Sequence, residues 1–200
     1  GAVPTWDGRW LIVIPAYVTE PKLTQFRRQL DWLGFSPLAG GVYAHPSFEQ
    51  QSLEETVEEM ALSDAVVIFT SKTLDKSSAA VLKKLVHDRW NIKQLESDYQ
   101  QFLTVYQPLQ QLVTEVDLTD QQSFLLRTLL IHEYRRILLK DHELPEDMLP
   151  ESWAGFAAHS LVSQMYGQLA ESSNRYITAT LQNAQGSLPG VDDVFWQRFK

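Results

Sequence analysis

Residues 129–140 read LLIHEYRRILLK, which places His132, Arg135 and Arg136 within five positions of one another, with Arg127 a short way upstream. Side chains three and four apart share one face of a helix. Three cations on such a face can gather around a phosphate or a carboxylate, the anions that guanidinium groups bind most strongly. Other chemistries fail at this stretch. His132-Glu133 begins as the zinc motif HExxH does, but Arg136 stands where the second histidine is required. The glycine pair Gly40-Gly41 is not followed by the Gly-Lys-Ser/Thr of a phosphate-binding loop, and no GxSxG nucleophile elbow occurs. Glu54, Glu55, Glu58 and Glu59 form a dense acidic run that reads as the solvated face of a helix rather than as a catalytic carboxylate pair.

Composition narrows the field further. The chain has 200 residues and 44% hydrophobic content, enough for one large domain or two small ones. It contains no Cys, which removes disulfides and thiolate chemistry and suits a reducing cytoplasm. The net charge of -8 argues against non-specific binding to nucleic acid, which depends on Lys and Arg displacing counterions. No apolar run approaches the length of a membrane span. The sequence opens Gly-Ala-Val-Pro without Met, as expected of a chain processed or trimmed at its N-terminus.

The elements that must position the cations fall into two styles. Residues 9–18, RWLIVIPAYV, form a continuous apolar run, as a strand buried on both faces would. A helix follows, with Thr19 as its expected N-cap, Pro21 in its first turn, apolar positions Leu23, Phe26, Leu30 and Leu33, and Gly34 as its stop. Residues 37–46 read as a strand or hairpin turning at Gly40-Gly41. Ser52 with Glu55 fits a capping box for a second amphipathic helix, and residues 64–72 return as a buried strand. This order suits a small ferredoxin-like sandwich with its helices on one face of the sheet. From Lys76 the pattern is helical: 78–89, 91–112, 119–140 and 154 to about 184, with Thr119 and Gln122 as a second capping box. The expected boundary is 71–78, and a turn-rich tail at 185–193 leads to the aromatic VFWQRF.

The helix 119–140 is apolar nearly all round. Phe124, Leu126, Leu130, Ile131, Tyr134, Ile137 and Leu138 take more than half its circumference, and Leu125, Leu129 and Leu139 fall on the rest. Such a helix is expected inside its domain with others packed around it. Arg127 falls on the apolar side, between Tyr134 and Leu138. An unpaired buried charge costs several kcal/mol. Two readings therefore stand: an ion pair with Glu96, Asp98 or Glu115, or a cationic lining for an anionic ligand. Arg135 and Arg136 divide in the same way, between a solvated arc at a helix C-terminus and a phosphate site. Downstream, Pro145 and Pro150 end the helix. Leu144, Met148, Leu149 and Trp153 are then expected to pack back on it, with Asp141, Glu143, Glu146 and Asp147 near its cations.

HEYRRILLKDHELPEDMLPESWAG, preceded by LLRTLL, resembles the C-terminal region of the PaaX family of bacterial transcriptional repressors. WDGRW, LDWLGFSPLAGGVYAHP and RWNIKQLESDYQQFL resemble further motifs of that family in the same order, so the likeness runs through nearly the whole chain. The resemblance implies an α+β protein: a ferredoxin-like domain similar to a CRISPR-associated nuclease over 1–75, acting in dimerisation or spacing, then an all-α effector-binding domain over 76–200. It implies a repressor of phenylacetate catabolism, working in the cytoplasm as a homodimer. Phenylacetyl-coenzyme A would be its inducer, and an N-terminal winged helix-turn-helix absent from this sequence would bind operator DNA. Two other classes follow from the same likeness: metal-dependent phosphodiester cleavage and a purely architectural module. Those nucleases carry an Asp at the end of the first strand, where this chain has Tyr17 and its neighbours and no carboxylate. An acyl-coenzyme A site needs apolar, aromatic walls and a few cations. Arg127, His132, Arg135 and Arg136 beside Tyr134, Trp90, Tyr106 and Trp153 are the effector-binding candidates, with no metal, cofactor or catalytic residue expected.

Overall fold

The computed structural model describes residues 6–46, 50–72, 76–180, 182–183 and 186–187. The first part follows the order β1 (Arg9–Ile14), α1 (Lys22–Trp32), β2 (Ser36–Ala39), β3 (Val42–His45), α2 (Gln50–Glu59) and β4 (Val67–Lys72). The strands form one antiparallel sheet in the order β2-β3-β1-β4, with Leu11 opposite His45 on one side and Thr70 on the other. This is the ferredoxin-like arrangement expected from the order of apolar runs. β1 lies centrally and is buried on both faces. Its Leu11 and Val13 meet Phe26 and Leu30 of α1 and Leu53 and Val57 of α2 in a single core.

Local signals explain most of the boundaries. Gly34 takes φ +85, and its N–H donates to the Asp31 carbonyl while Phe35 N–H donates to Leu30, a left-handed helix stop that favours Gly. Gly40 and Gly41 both take positive φ, which closes the β2-β3 hairpin in two residues. Two expected caps fall elsewhere. α1 has Pro21 as its N-cap with no side-chain cap, and the Glu20 carboxylate instead accepts from Thr24 N–H and hydroxyl. α2 begins at Gln50, so Ser52 lies inside the helix, where its carbonyl accepts from Thr56.

The helical part comprises α3 (Lys76–Arg89), α4 (Ile92–Glu115, with Pro108 inside it), α5 (Asp120–Leu138) and α6 (Ala154–Thr180), then a two-residue pairing of β5 (Gln182–Asn183) with β6 (Gly186–Ser187). The 185–193 turn lies mostly, and VFWQRF entirely, outside the described residues. The Thr119 capping box is formed at the start of α5: Gln122 N–H donates to the Thr119 hydroxyl, and Gln122 Oε1 accepts from Thr119 N–H.

The chain divides into two compact units that do not follow the sequence order. One holds residues 1–94 and 141–151, the other 95–140 and 152–200. The stretch 71–78, where the boundary was expected, lies within the first unit, which also takes in α3 and the proline-rich segment 141–151. His87 Nε2 donates to the Met148 carbonyl there, and Asp147 accepts from Trp6 N–H.

The second unit is built on α5 against α6. Leu130, Tyr134 and Ile137 of α5 are buried, as are Ala158, Leu161, Val162, Met165, Leu169 and Ala170 of α6. α5 is not enclosed as its all-round apolar pattern suggested. Leu125 and Leu129 are about half exposed, and Leu138 and Leu139 also face solvent, because helices cover only part of its circumference.

Candidate functional site

Within the second unit, α4 and α5 enclose a groove of about 400 Å³. α4 contributes Asp98, Gln101, Phe102, Val105 and Tyr106; the C-terminal half of α5 and the residues after it contribute Glu133, Arg136, Ile137 and Lys140. The helical repeat brings these together: 98, 101, 102, 105 and 106 lie on one face of α4, and 133, 136, 137 and 140 on one face of α5. The floor is aromatic. Phe102 and Tyr106 stack with centroids 4.5 Å apart, and Phe102 packs 5.7 Å from Tyr134. The cluster continues inward through Tyr99 to Trp153, whose rings meet edge to face at 5.6 Å.

Two ion pairs line the walls. Lys140 Nζ lies 2.8 Å from Asp98 Oδ2, joining α4 to the second residue past α5. Arg136 Nη1 lies 2.9 Å from Glu133 Oε2, one turn back on α5. Burial, and next the charge of Glu133, push the Tyr106 phenol above its ordinary range, so it stays neutral at physiological pH.

Of the residues singled out in the sequence, the groove brings together Tyr106 and Arg136, with Tyr134 behind its floor. His132 and Arg135 are exposed on α5; His132 lies 3.9 Å from Glu133, and no carboxylate lies within 4 Å of Arg135 among the described residues. Trp153 is buried against Tyr99. Trp90 belongs to the first unit, where its indole N–H donates to the Gly34 carbonyl at 2.8 Å. The carboxylates of the 141–147 turn also sit in the first unit, and the ion pair of Arg136 is with Glu133.

Arg127 meets none of the acids first expected. Its Nη1 donates to Asn174 Oδ1 at 3.1 Å and to the Ala170 carbonyl at 3.4 Å, and its guanidinium lies 5.2 Å from the centre of the Tyr166 ring. An amide, a carbonyl and an aromatic face replace a counter-ion, and burial pulls the guanidinium below its ordinary pKa while Tyr166 opposes. Glu96, one of the acids expected at Arg127, instead accepts from Ala154 N–H at the start of α6, where negative charge is favoured. Sequence reasoning missed Asp98, Glu133 and Lys140 as groove residues. The signal available was their helical register with Phe102 and Arg136. Among the described residues no three His, Asp or Glu side chains converge as a metal site.

An antiparallel four-stranded sheet carrying two helices, together with a helical unit that holds an aromatic and charged groove, defines a two-part α+β protein. Residues 3–82 match the model of the PaaX protein central Cas2-like domain, and residues 90–179 that of the PaaX-like protein C-terminal domain. The chain belongs to the PaaX family. It is 32% identical over 198 residues to the transcriptional repressor PaaX of Escherichia coli K12, a match covering 98% of this chain and 63% of that protein. The chain therefore spans a little under two thirds of the length of that relative. Its fold is shared with the uncharacterized protein Rv0674 of Mycobacterium tuberculosis, with a TM-score of 0.56 and 18% identity over 84% of this chain and 63% of that one.

Proposed function

We propose that this chain is the ligand-responsive part of a transcriptional repressor of phenylacetate catabolism, and that the α4-α5 groove takes its effector, phenylacetyl-coenzyme A. The repressor role is supported by the E. coli relative. The observation that carries the site is the pairing of a stacked aromatic floor, Phe102 and Tyr106, with Arg136 and Lys140 on the rim. An acyl-coenzyme A joins an aromatic acyl group to strongly anionic phosphates, so it needs these two surfaces side by side. In this reading operator DNA is held by a winged helix-turn-helix N-terminal to this chain, and the protein acts in the cytoplasm as a homodimer. It is a regulator without catalytic activity or cofactor. Ligand control then requires that phenylacetyl-coenzyme A favour one of two arrangements of the dimer.

A thermal-shift experiment tests this directly. Phenylacetyl-coenzyme A is expected to raise the Tm of the chain, and free coenzyme A to raise it less. Arg136→Ala is expected to reduce the shift, whereas Arg135→Ala, which breaks no ion pair among the described residues, should leave both the shift and the unliganded Tm nearly unchanged. No shift with ligand in large excess removes the effector assignment.

A further inference from the structure

We propose that Asp98 and Glu133 are built-in competitors of the effector for the groove's cations, so that these two carboxylates set how weakly an anionic ligand binds. The inference rests on the reading of the α4-α5 groove as an effector site and goes beyond it by assigning a role to its acidic residues. The groove carries two charges of each sign, and each cation is already engaged, Lys140 with Asp98 at 2.8 Å and Arg136 with Glu133 at 2.9 Å. A polyphosphate entering this space meets no free cation on the groove's walls. It must draw Lys140 and Arg136 away from Asp98 and Glu133 and then sit beside those two carboxylates.

The geometry makes that exchange feasible. Arg136 and Lys140 are about two-thirds exposed, and exposed ion pairs hold weakly because water and salt compete with them. Both side chains can therefore swing to a phosphate without unfolding anything. Their partners cannot withdraw as readily. Asp98 is only 16% exposed and lies on the α4 wall, and Glu133, 41% exposed against 66% for Arg136, lines the α5 wall. After exchange both carboxylates remain beside the bound anion and repel it. The Lys140-Asp98 bond also spans 42 residues and ties α4 to the end of α5, so its rupture gives ligand binding a mechanical consequence within this unit.

The test is titration calorimetry of phenylacetyl-coenzyme A, at fixed pH and salt, against the unaltered chain, Asp98→Asn, Glu133→Gln and the double variant. Phenylacetyl-pantetheine, which lacks the phosphates, serves as the control ligand. Each single substitution keeps size and hydrogen-bonding capacity and is expected to tighten phenylacetyl-coenzyme A binding by roughly three- to tenfold, with the double variant tighter still. Affinity for the phosphate-free control should not change. If the unaltered chain binds phenylacetyl-coenzyme A and the variants bind it no better, the competitor role is overturned while the effector site stands. Equal tightening toward the control also overturns it, because the carboxylates would then act on something other than the phosphates. Absence of binding to every form overturns the effector site itself, and this inference with it.

Discussion

Stability in acid should be governed in part by one histidine. His45, on β3, is 3% exposed, with the rings of Phe35 and Trp90 at 5.6 and 6.4 Å. Removal from water pushes its imidazole down from 6.5 to about 4; a hydrogen bond with the His142 backbone opposes this, and the charge of His142 adds to it. The unfolded chain titrates near the ordinary value, so between these two pH values the unfolded state binds more protons than the folded one. Stability therefore rises with pH across this window. The contribution is complete above about pH 6.5 and is lost as pH falls toward 4. A depression of this size corresponds to about 3 kcal/mol. That is a large share of the roughly 5–15 kcal/mol typical of a domain. His142, also depressed by burial, acts in the same direction, with Asp31 and Asp141 opposing. Urea unfolding at about pH 7 and about pH 4.5 should show this loss, and His45→Phe, which keeps an aromatic ring among aromatic neighbours, should lose much less. Carboxylates titrate in both proteins, so the difference between them isolates the histidine. The reasoning fails if both show the same pH slope, or if the His45 ring titrates near pH 6.5 by NMR while the protein stays folded.

Two further perturbations probe the second unit. Gly155→Ala would set a Cβ against the Trp153 indole, 3.0 Å from its Cδ1 and Cε2. Overpacking of this kind costs about 1–3 kcal/mol, more than the gain of up to about 1 kcal/mol in helix propensity, so the urea midpoint should fall. An unchanged or higher midpoint would mean that the indole is free to move. Thr119→Ala removes the hydroxyl that accepts from Gln122 N–H, and should destabilise α5 by about 1 kcal/mol, measurable as a lower Tm.

What could be read in advance divides by sequence distance. The Thr119 box and the Gly34 stop depend on partners three to five residues away, and both are present as expected. The strand and helix order also follows from local apolar runs. The caps at Thr19 and Ser52 failed although equally local, since Pro21 and the Glu20 carboxylate govern one start and the other lies two residues earlier. Long-range placement was not legible. Arg127 finds Asn174 on a helix 47 residues on, and no periodicity distinguishes an amide there from an acid elsewhere. Trp90 has the pattern of a core residue, but periodicity does not say which core, and it serves the sheet unit. The apolar circumference of α5 was plain, yet which leucines stay exposed depends on how many helices surround it. For the site, Arg136 and Tyr106 could be named from residue type, whereas the groove itself exists only once α4 and α5 lie side by side.

The central claim is that the effector lies between α4 and α5, and hydrogen-exchange mapping of the chain with and without phenylacetyl-coenzyme A addresses it most directly. The expected result is ligand-dependent protection concentrated at residues 98–106 and 133–140, and weaker in Arg136→Ala. Protection confined to the first unit, with these two segments unchanged, would contradict the account.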